Sequence, residues 1–319
     1  MSGSLSRRAS AVAIAAALAL TATACGGAED DAKKPADKGG KHAVKTAMGE
    51  VAVNDSPKRV VVLDTDALDS AVTLGVKPVG AVQPEAGAPL STYLPKDKLK
   101  GVKKVGLIAE PNLEAIAGLK PDLILSSKER DEKSHKELSK IAPTVFTETT
   151  GPTWRKNFEL HADALGKKDQ AKNVVADYEK HVAKVTEALG GTEKAKKTEV
   201  GFVRFLEGED TRLYKNDTFV GSIFKDLKVG RPENVDNTGF SLDVSPEKID
   251  EADSDVIFHS TYGDPKKAKQ DAITGGNLWK KLDAVKANKV HPVDDDLWML
   301  GIGYTGAGKV LDEMEKKLG

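Results

Sequence analysis

The stretch PNLEAIAGLKPDLILSS, residues 111–127, decides the fold, because its pattern returns as VSPEKIDEADSDVIFHS at residues 244–260. At one constant offset five of the seventeen positions coincide: Glu114 with Glu247, Ile116 with Ile249, Asp122 with Asp255, Ile124 with Ile257 and Ser127 with Ser260. Each copy reads as a short helix opened by an acid, a turn holding an aspartate, and an apolar run that ends in serine. Such a short apolar run between turn signals fits a strand covered on both faces. Two copies imply an α/β protein of two similar lobes, each a mainly parallel sheet flanked by helices.

Upstream of the first copy, PKRVVVLD (57–64) supplies another buried strand at 60–63. Asp66 then reads as the cap of a helix carrying Leu68, Val72 and Leu74 before Gly75. Val44, Met48, Val51 and Val53 around Gly49 predict a hairpin where the folded body begins, near His42. Between the copies, Ala171, Val174, Tyr178, Val182, Val185 and Leu189 step by three and four and form one apolar stripe. The helix they predict covers about 169–189, with Asp169 as its cap and Gly190-Gly191 as its stop. At 1.5 Å per residue it is a rod of roughly 30 Å, long enough to join both lobes stiffly. The expected organisation is an N-terminal lobe at 42–152, a linker containing the bridging helix at 153–197, and a C-terminal lobe at 198–319.

The first 24 residues read as an export signal: Arg7 and Arg8, the apolar run 11–20, then the small residues Ala22, Thr23 and Ala24. The run is too short for a bilayer span, which needs about 20 residues. Cys25, the only cysteine, follows directly and resembles the lipidated cysteine of bacterial lipoproteins, although Ala22 stands where such boxes usually carry Leu. The arginine pair also resembles a twin-arginine signal, without its usual large apolar follower. Residues 25–41 contain no large apolar side chain and read as a lipid-anchored flexible tether. These features place the body at the cell surface, on the outer face of the cytoplasmic membrane.

The 48 Lys and Arg against 49 Asp and Glu leave no basic excess for nucleic acid. A body without cysteine excludes disulfides, thiolate zinc sites and thiol catalysis. The six histidines show no paired metal-ligand spacing, and Asp294-Asp295-Asp296 lacks the spaced oxygens of a calcium loop, fitting a strand end or helix cap instead. Asp64, Asp66 and Asp69 are read in the same way. No Gly-x-Ser-x-Gly elbow occurs, which disfavours the rival reading as an anchored hydrolase.

Five blocks in order now carry a resemblance: PKRVVVLD, LGVKPVGAV at residues 74–82, PNLEAIAGLKPDLILSS, SSKERDEKSHKELSKIAPTVFTE from Ser126, and FVRF with RLYKNDTF from Phe202. Together with the bridging helix they resemble the substrate-binding lipoproteins of ABC importers for ferric siderophores, vitamin B12 and haem, and most of all the binders of hydroxamate and citrate-type chelates. The resemblance implies a monomer that is not an enzyme, has no intrinsic cofactor, holds an iron(III)–siderophore complex between its lobes, and delivers it to a permease dimer with its ATPase. It also implies that Glu114 and Glu247 dock to that permease. A two-fold partner needs the same charge presented once per lobe, although each Glu also suits the N-terminus of its short helix.

A chelate that already saturates its iron needs forked arginines and aromatic surfaces rather than metal ligands. Arg130, just beyond the strand of the first copy, is the first choice. Arg204 interrupts the apolar strand GFVRF, where a charge needs a partner: either the chelate or an internal acid. Arg212 and Tyr214 in RLY, and Trp298 and Tyr304 in DDDLWMLGIGYTGAG, complete the candidate set, the last two being equally suited to core packing. Trp154 and Trp279 read as packing residues. A haem binder would use Tyr262 or His259 as axial ligand, and a cobalamin binder would favour aromatics over arginines.

Overall fold

The structure is a computed structural model that describes residues 40–319; the leader, Cys25 and nearly all of the expected tether lie outside the described residues. A hairpin of β1 (Lys41–Thr46) and β2 (Gly49–Asn54) opens the body. Gly49 turns the chain at φ +107°, where a side chain would be strained.

The first large sheet contains β3 (Val60–Val62), β4 (Gly80–Gln83), β5 (Lys103–Leu107), β6 (Glu110–Pro111), β7 (Leu123–Ser127) and β8 (Thr144–Thr147). Their spatial order is β6-β5-β4-β3-β7-β8, parallel except for the short edge strand β6. The second contains β9 (Val200–Leu206), β10 (Thr211–Tyr214), β11 (Ser241–Val244), β12 (Val256–Tyr262) and β13 (Val290–Pro292), in the order β11-β10-β9-β12-β13. Here β9, β12 and β13 run parallel, whereas β10 runs antiparallel to both of its neighbours, β9 and β11, so that β11 points the same way as β9. The second sheet is therefore mainly parallel in strand direction with β10 as its one reversed strand, because only four residues separate β9 from β10, enough for a hairpin and too few for a helical crossover.

The two copies of the repeat occupy corresponding places. β7 lies parallel to β3, and β12 lies parallel to β9. In the first copy the Asp122 carboxylate accepts the backbone N–H groups of Lys58 and Arg59 at 2.7 and 2.8 Å, at the entry to β3. In the second, Asp255 accepts the N–H of Glu199 at 2.8 Å, at the entry to β9. The repeated aspartate thus pins the neighbouring strand's start in both halves. Ile116, Ile249, Ile124 and Ile257 are all buried beneath.

The bridging helix is Lys168–Ala188, its stripe buried at Ala171, Tyr178 and Val185 and half-buried at Val174 and Val182. Asp169 lies in the first turn, bonded to Lys172, and does not cap it. Likewise the cap of the helix Thr65–Thr73 is Asp64, which accepts the Thr65 N–H, and Asp66 lies within the first turn. The C-terminal helix Tyr304–Leu318 packs along the bridging helix. Strand residues alternate between cores: Val60 and Val62 on one face of the first sheet, Phe202 and Phe258 on one face of the second, all join a single apolar cluster that runs through Trp154, Tyr178, Trp298 and Met314. The outer faces, with Val61 and Leu63 or Val203 and Phe205, cover smaller cores of their own. No helix among the described residues is long and apolar enough to cross a membrane.

Candidate functional site

At the carboxyl ends of the strands a cavity of about 330 Å³ is lined from both halves: Pro84, Glu85, Ala88, Pro89 and Thr92 follow β4, whereas Thr261, Tyr262 and Gly263 end β12 and Asp295, Asp296 and Leu300 follow β13. Strand ends are where α/β sheets hold ligands. Thr92 closes one side, its backbone N–H and hydroxyl both donating to Asp296 at 2.5 Å. Two larger depressions, about 430 and 470 Å³, lie along the helices Trp154–Ala164 and Lys168–Ala188, and neither is lined by a strand of the two large sheets.

Arg204 lies under this cavity. Its guanidinium forks onto Asp295, Nε to Oδ1 at 2.7 Å and Nη2 to Oδ2 at 2.5 Å, and Nη1 donates to the Tyr214 hydroxyl at 3.3 Å. Ser260, the last repeat residue, donates to the same Asp295 oxygen at 2.6 Å. The internal acid, one of the two partners expected for Arg204, is therefore Asp295. Above the guanidinium lies Tyr262, its ring centroid 4.8 Å from Cζ, and with 38% exposure it is one of the few exposed large hydrophobic side chains among the described residues. A cation beneath a ring face fixes the ring and leaves its other side for a ligand.

Arg130 occupies a comparable position in the first half. It sits in the turn of helix Lys128–Asp131 capped by Ser127, and donates from Nε to Asp64 Oδ2 at 3.1 Å. Asp64, Asp66 and Asp131 are each almost wholly buried. Burial pushes the Asp64 and Asp66 carboxyls up; for Asp64 the neighbouring Asp66 adds to this, and Arg130 opposes it. Arg130 retains about a third of its side-chain exposure, so it is held but reachable.

The remaining candidates separate. Arg212 faces Arg204 across the β9–β10 register but is half-buried, paired with Glu209 and 3.6 Å from Asp243 of β11. Tyr214 is fully buried and acts on the site only by holding Arg204. Trp298 and Tyr304 do not face the cavity, a correction to their candidacy. Trp298 has no exposed surface, stacks on Phe258 and Phe202 with centroids 4.6 and 5.6 Å away, and donates its indole N–H to Glu313. Tyr304 packs edge-on against Trp154, Phe158 and Tyr178. Trp154 and Trp279 are buried packing residues, as read. His259 is buried against Phe205 and Trp279, and burial followed by the neighbouring His291 lowers its pKa to about 4, leaving Tyr262 as the only one of the two haem-ligand candidates on the cavity.

Sequence reasoning passed over Asp295, Thr92 and the loop 84–92. For Asp295 a signal existed, since a buried arginine demands an acid and three stood together at 294–296. Glu114 and Glu247 are both exposed, each in the first turn of its short helix before the repeated strand. Its own backbone N–H, then Ser245, hold the Glu247 carboxyl below the usual range.

The profile of the periplasmic binding protein family matches residues 60–297. Among curated proteins of Bacillus subtilis, the chain is 41% identical to "Probable siderophore-binding lipoprotein YfiY", over 93% of each chain. It is 31% identical to "Fe(3+)-citrate-binding protein YfmC", over 85% of this chain and 84% of that one. Among solved structures, Staphylococcus aureus SirA complexed with staphyloferrin B superposes with a TM-score of 0.78 at 36% identity, covering 87% of this chain and 98% of that one.

Proposed function

Because the chain belongs to the periplasmic binding protein family, we propose that it is an extracytoplasmic receptor that holds a ferric siderophore in the cavity between its two halves and delivers it to an ABC importer. The observation that carries this reading is the cavity itself, which both halves line and which presents an aromatic face, Tyr262, backed by Arg204. Two of the three acids there are engaged, Asp295 by Arg204 and Asp296 by Thr92, so the lining is suited to an ion that arrives already wrapped in its own oxygens.

The charge of the lining supports the hydroxamate class within that reading. Glu85, Asp295 and Asp296 are its charged residues, the adjoining Arg204 is matched by Asp295, and Arg130 in the first half is matched by Asp64. Such a site suits an uncharged or cationic chelate better than a polyanionic one. Anchorage through a lipid on Cys25 belongs to the same proposal and rests on the sequence at 22–25. Docking through Glu114 and Glu247 does also, supported by their repeated position and exposure.

The test is a binding panel read by quenching of the three tryptophans, with ferric trihydroxamates, ferric citrate, a ferric catecholate and haem. Saturable quenching by a trihydroxamate at lower concentration than by citrate is expected. Tight haem binding with no response to any ferric chelate overturns the siderophore reading, and preference for citrate overturns the hydroxamate refinement.

A further inference from the structure

Away from the cavity, three side chains converge from the two longest helices. His181 lies on Lys168–Ala188, and Asp312 and Glu315 lie one turn apart on Tyr304–Leu318. Each offers one ligand atom, these atoms all lie within 4.8 Å of one another, and His181 Nε2 is 3.1 Å from Asp312 Oδ1. We propose that His181, Asp312 and Glu315 bind one divalent transition-metal ion of the zinc class, clasping the C-terminal helix to the bridging helix.

One imidazole nitrogen and two carboxylate oxygens form a donor set that zinc takes at about 2.0–2.2 Å, with the fourth position left to water. In a tetrahedron of that size the donors stand about 3.4 Å apart, so the present spacing needs only a modest contraction. Asp312 is exposed and Glu315 half-buried on the helix surface, where rotamer changes supply it. The backbone beneath is fixed, because the two helices pack directly on each other.

His42 shows why proximity alone does not make such a site. It too has two carboxylate neighbours, but Asp55 meets Nδ1 and Asp163 meets Nε2, on different edges of the ring, so one ion cannot engage both. At His181 the same nitrogen faces both acids. Lys184 now holds Glu315 at 3.1 Å and supplies the positive charge that an ion would replace. The ammonium is thus the competitor, and removing it should tighten the site.

The experiment uses the mature protein, free of siderophore and stripped of metals, titrated with Zn²⁺ by calorimetry and followed by thermal unfolding. One ion per chain and a saturable rise in Tm are expected, as for any ligand that binds only the folded state. His181→Gln and Asp312→Asn should each weaken binding about tenfold or more and remove the Tm rise, whereas Lys184→Met should strengthen binding several-fold. Mg²⁺, which prefers an all-oxygen shell, should do neither. Zinc stabilising His181→Gln as much as the native chain, or no response in the native chain, overturns the proposal.

Discussion

The carboxylate of Asp69 occupies the space that a side chain at Gly303 would need: a Cβ there would lie 2.2 Å from Asp69 Oδ1. Gly303 is the cap residue of the helix Tyr304–Leu318 and has no side chain to bond the first free N–H groups. Asp69, from the helix Thr65–Thr73, does so in its place, accepting from Thr305 at 3.2 Å and Gly306 at 3.0 Å, and also from the hydroxyls of Thr73 and Tyr93 at 3.0 Å. Asp69→Ala strands those buried donors and should cost about 3 kcal/mol. Gly303→Ala forces the two apart and should also destabilise. Urea midpoints at unchanged slope measure both; a native midpoint in either variant refutes the capping role.

Removing Arg204 should first damage the fold. Asp295 is almost as buried as its partner, so Arg204→Ala leaves an unpaired charge and should lower stability by about 3–5 kcal/mol. Asp295→Asn instead frees the guanidinium, and should shift chelate preference toward the anionic citrate type. Competition between ferric citrate and a ferric trihydroxamate measures that shift, and an unchanged ratio means that Arg204 does not touch the ligand.

Tyr262 separates stacking from hydrogen bonding. If its exposed ring face supports the chelate, Tyr262→Phe should bind nearly as the native chain does, and Tyr262→Ala should lose at least about 1 kcal/mol. Titration by tryptophan quenching reads both. A large loss in the Phe variant would move the contact to the hydroxyl.

His161 should make the protein acid-sensitive. It is wholly buried, its Nδ1 3.0 Å from the Ser70 hydroxyl, and burial lowers its pKa to about 3. Below about 6.5 the unfolded chain takes up a proton that the native state refuses, so stability is full above that pH and is lost as pH falls towards 3. The contribution is about 2 kcal/mol between pH 6.5 and 5. Urea unfolding at the two pH values should show a smaller difference in His161→Gln than in the native chain. The buried Asp64 and Asp66 work in the opposite sense, since their carboxyls are raised.

Glu114 and Glu247 sit on the exposed first turns of equivalent helices. Replacing both by Ala should leave chelate affinity within about twofold, as surface changes usually do, yet abolish uptake in cells that depend on this receptor. Undiminished uptake would return both residues to a local role at their helix ends.

Elements with a period were legible in the sequence. The bridging stripe, the buried strands and the repeat all follow from where apolar residues recur, which backbone geometry converts directly into faces. The aromatic candidates were not legible, because the same tryptophan serves a cavity wall or a core. Only the approach of Phe202 and Phe258 puts Trp298 in the core, and these come from strands far away in sequence. Arg204 lay between these cases: its need for a partner was evident and the acids at 294–296 were candidates, but the choice of Asp295 follows only from β13 lying beside β12.

The apolar cluster that runs unbroken from Val60 and Val62 through Trp154 to Phe202 and Phe258 belongs to neither half. A fragment cut between the sheets would carry a raw hydrophobic wound, so the chain, though written twice over, has become indivisible.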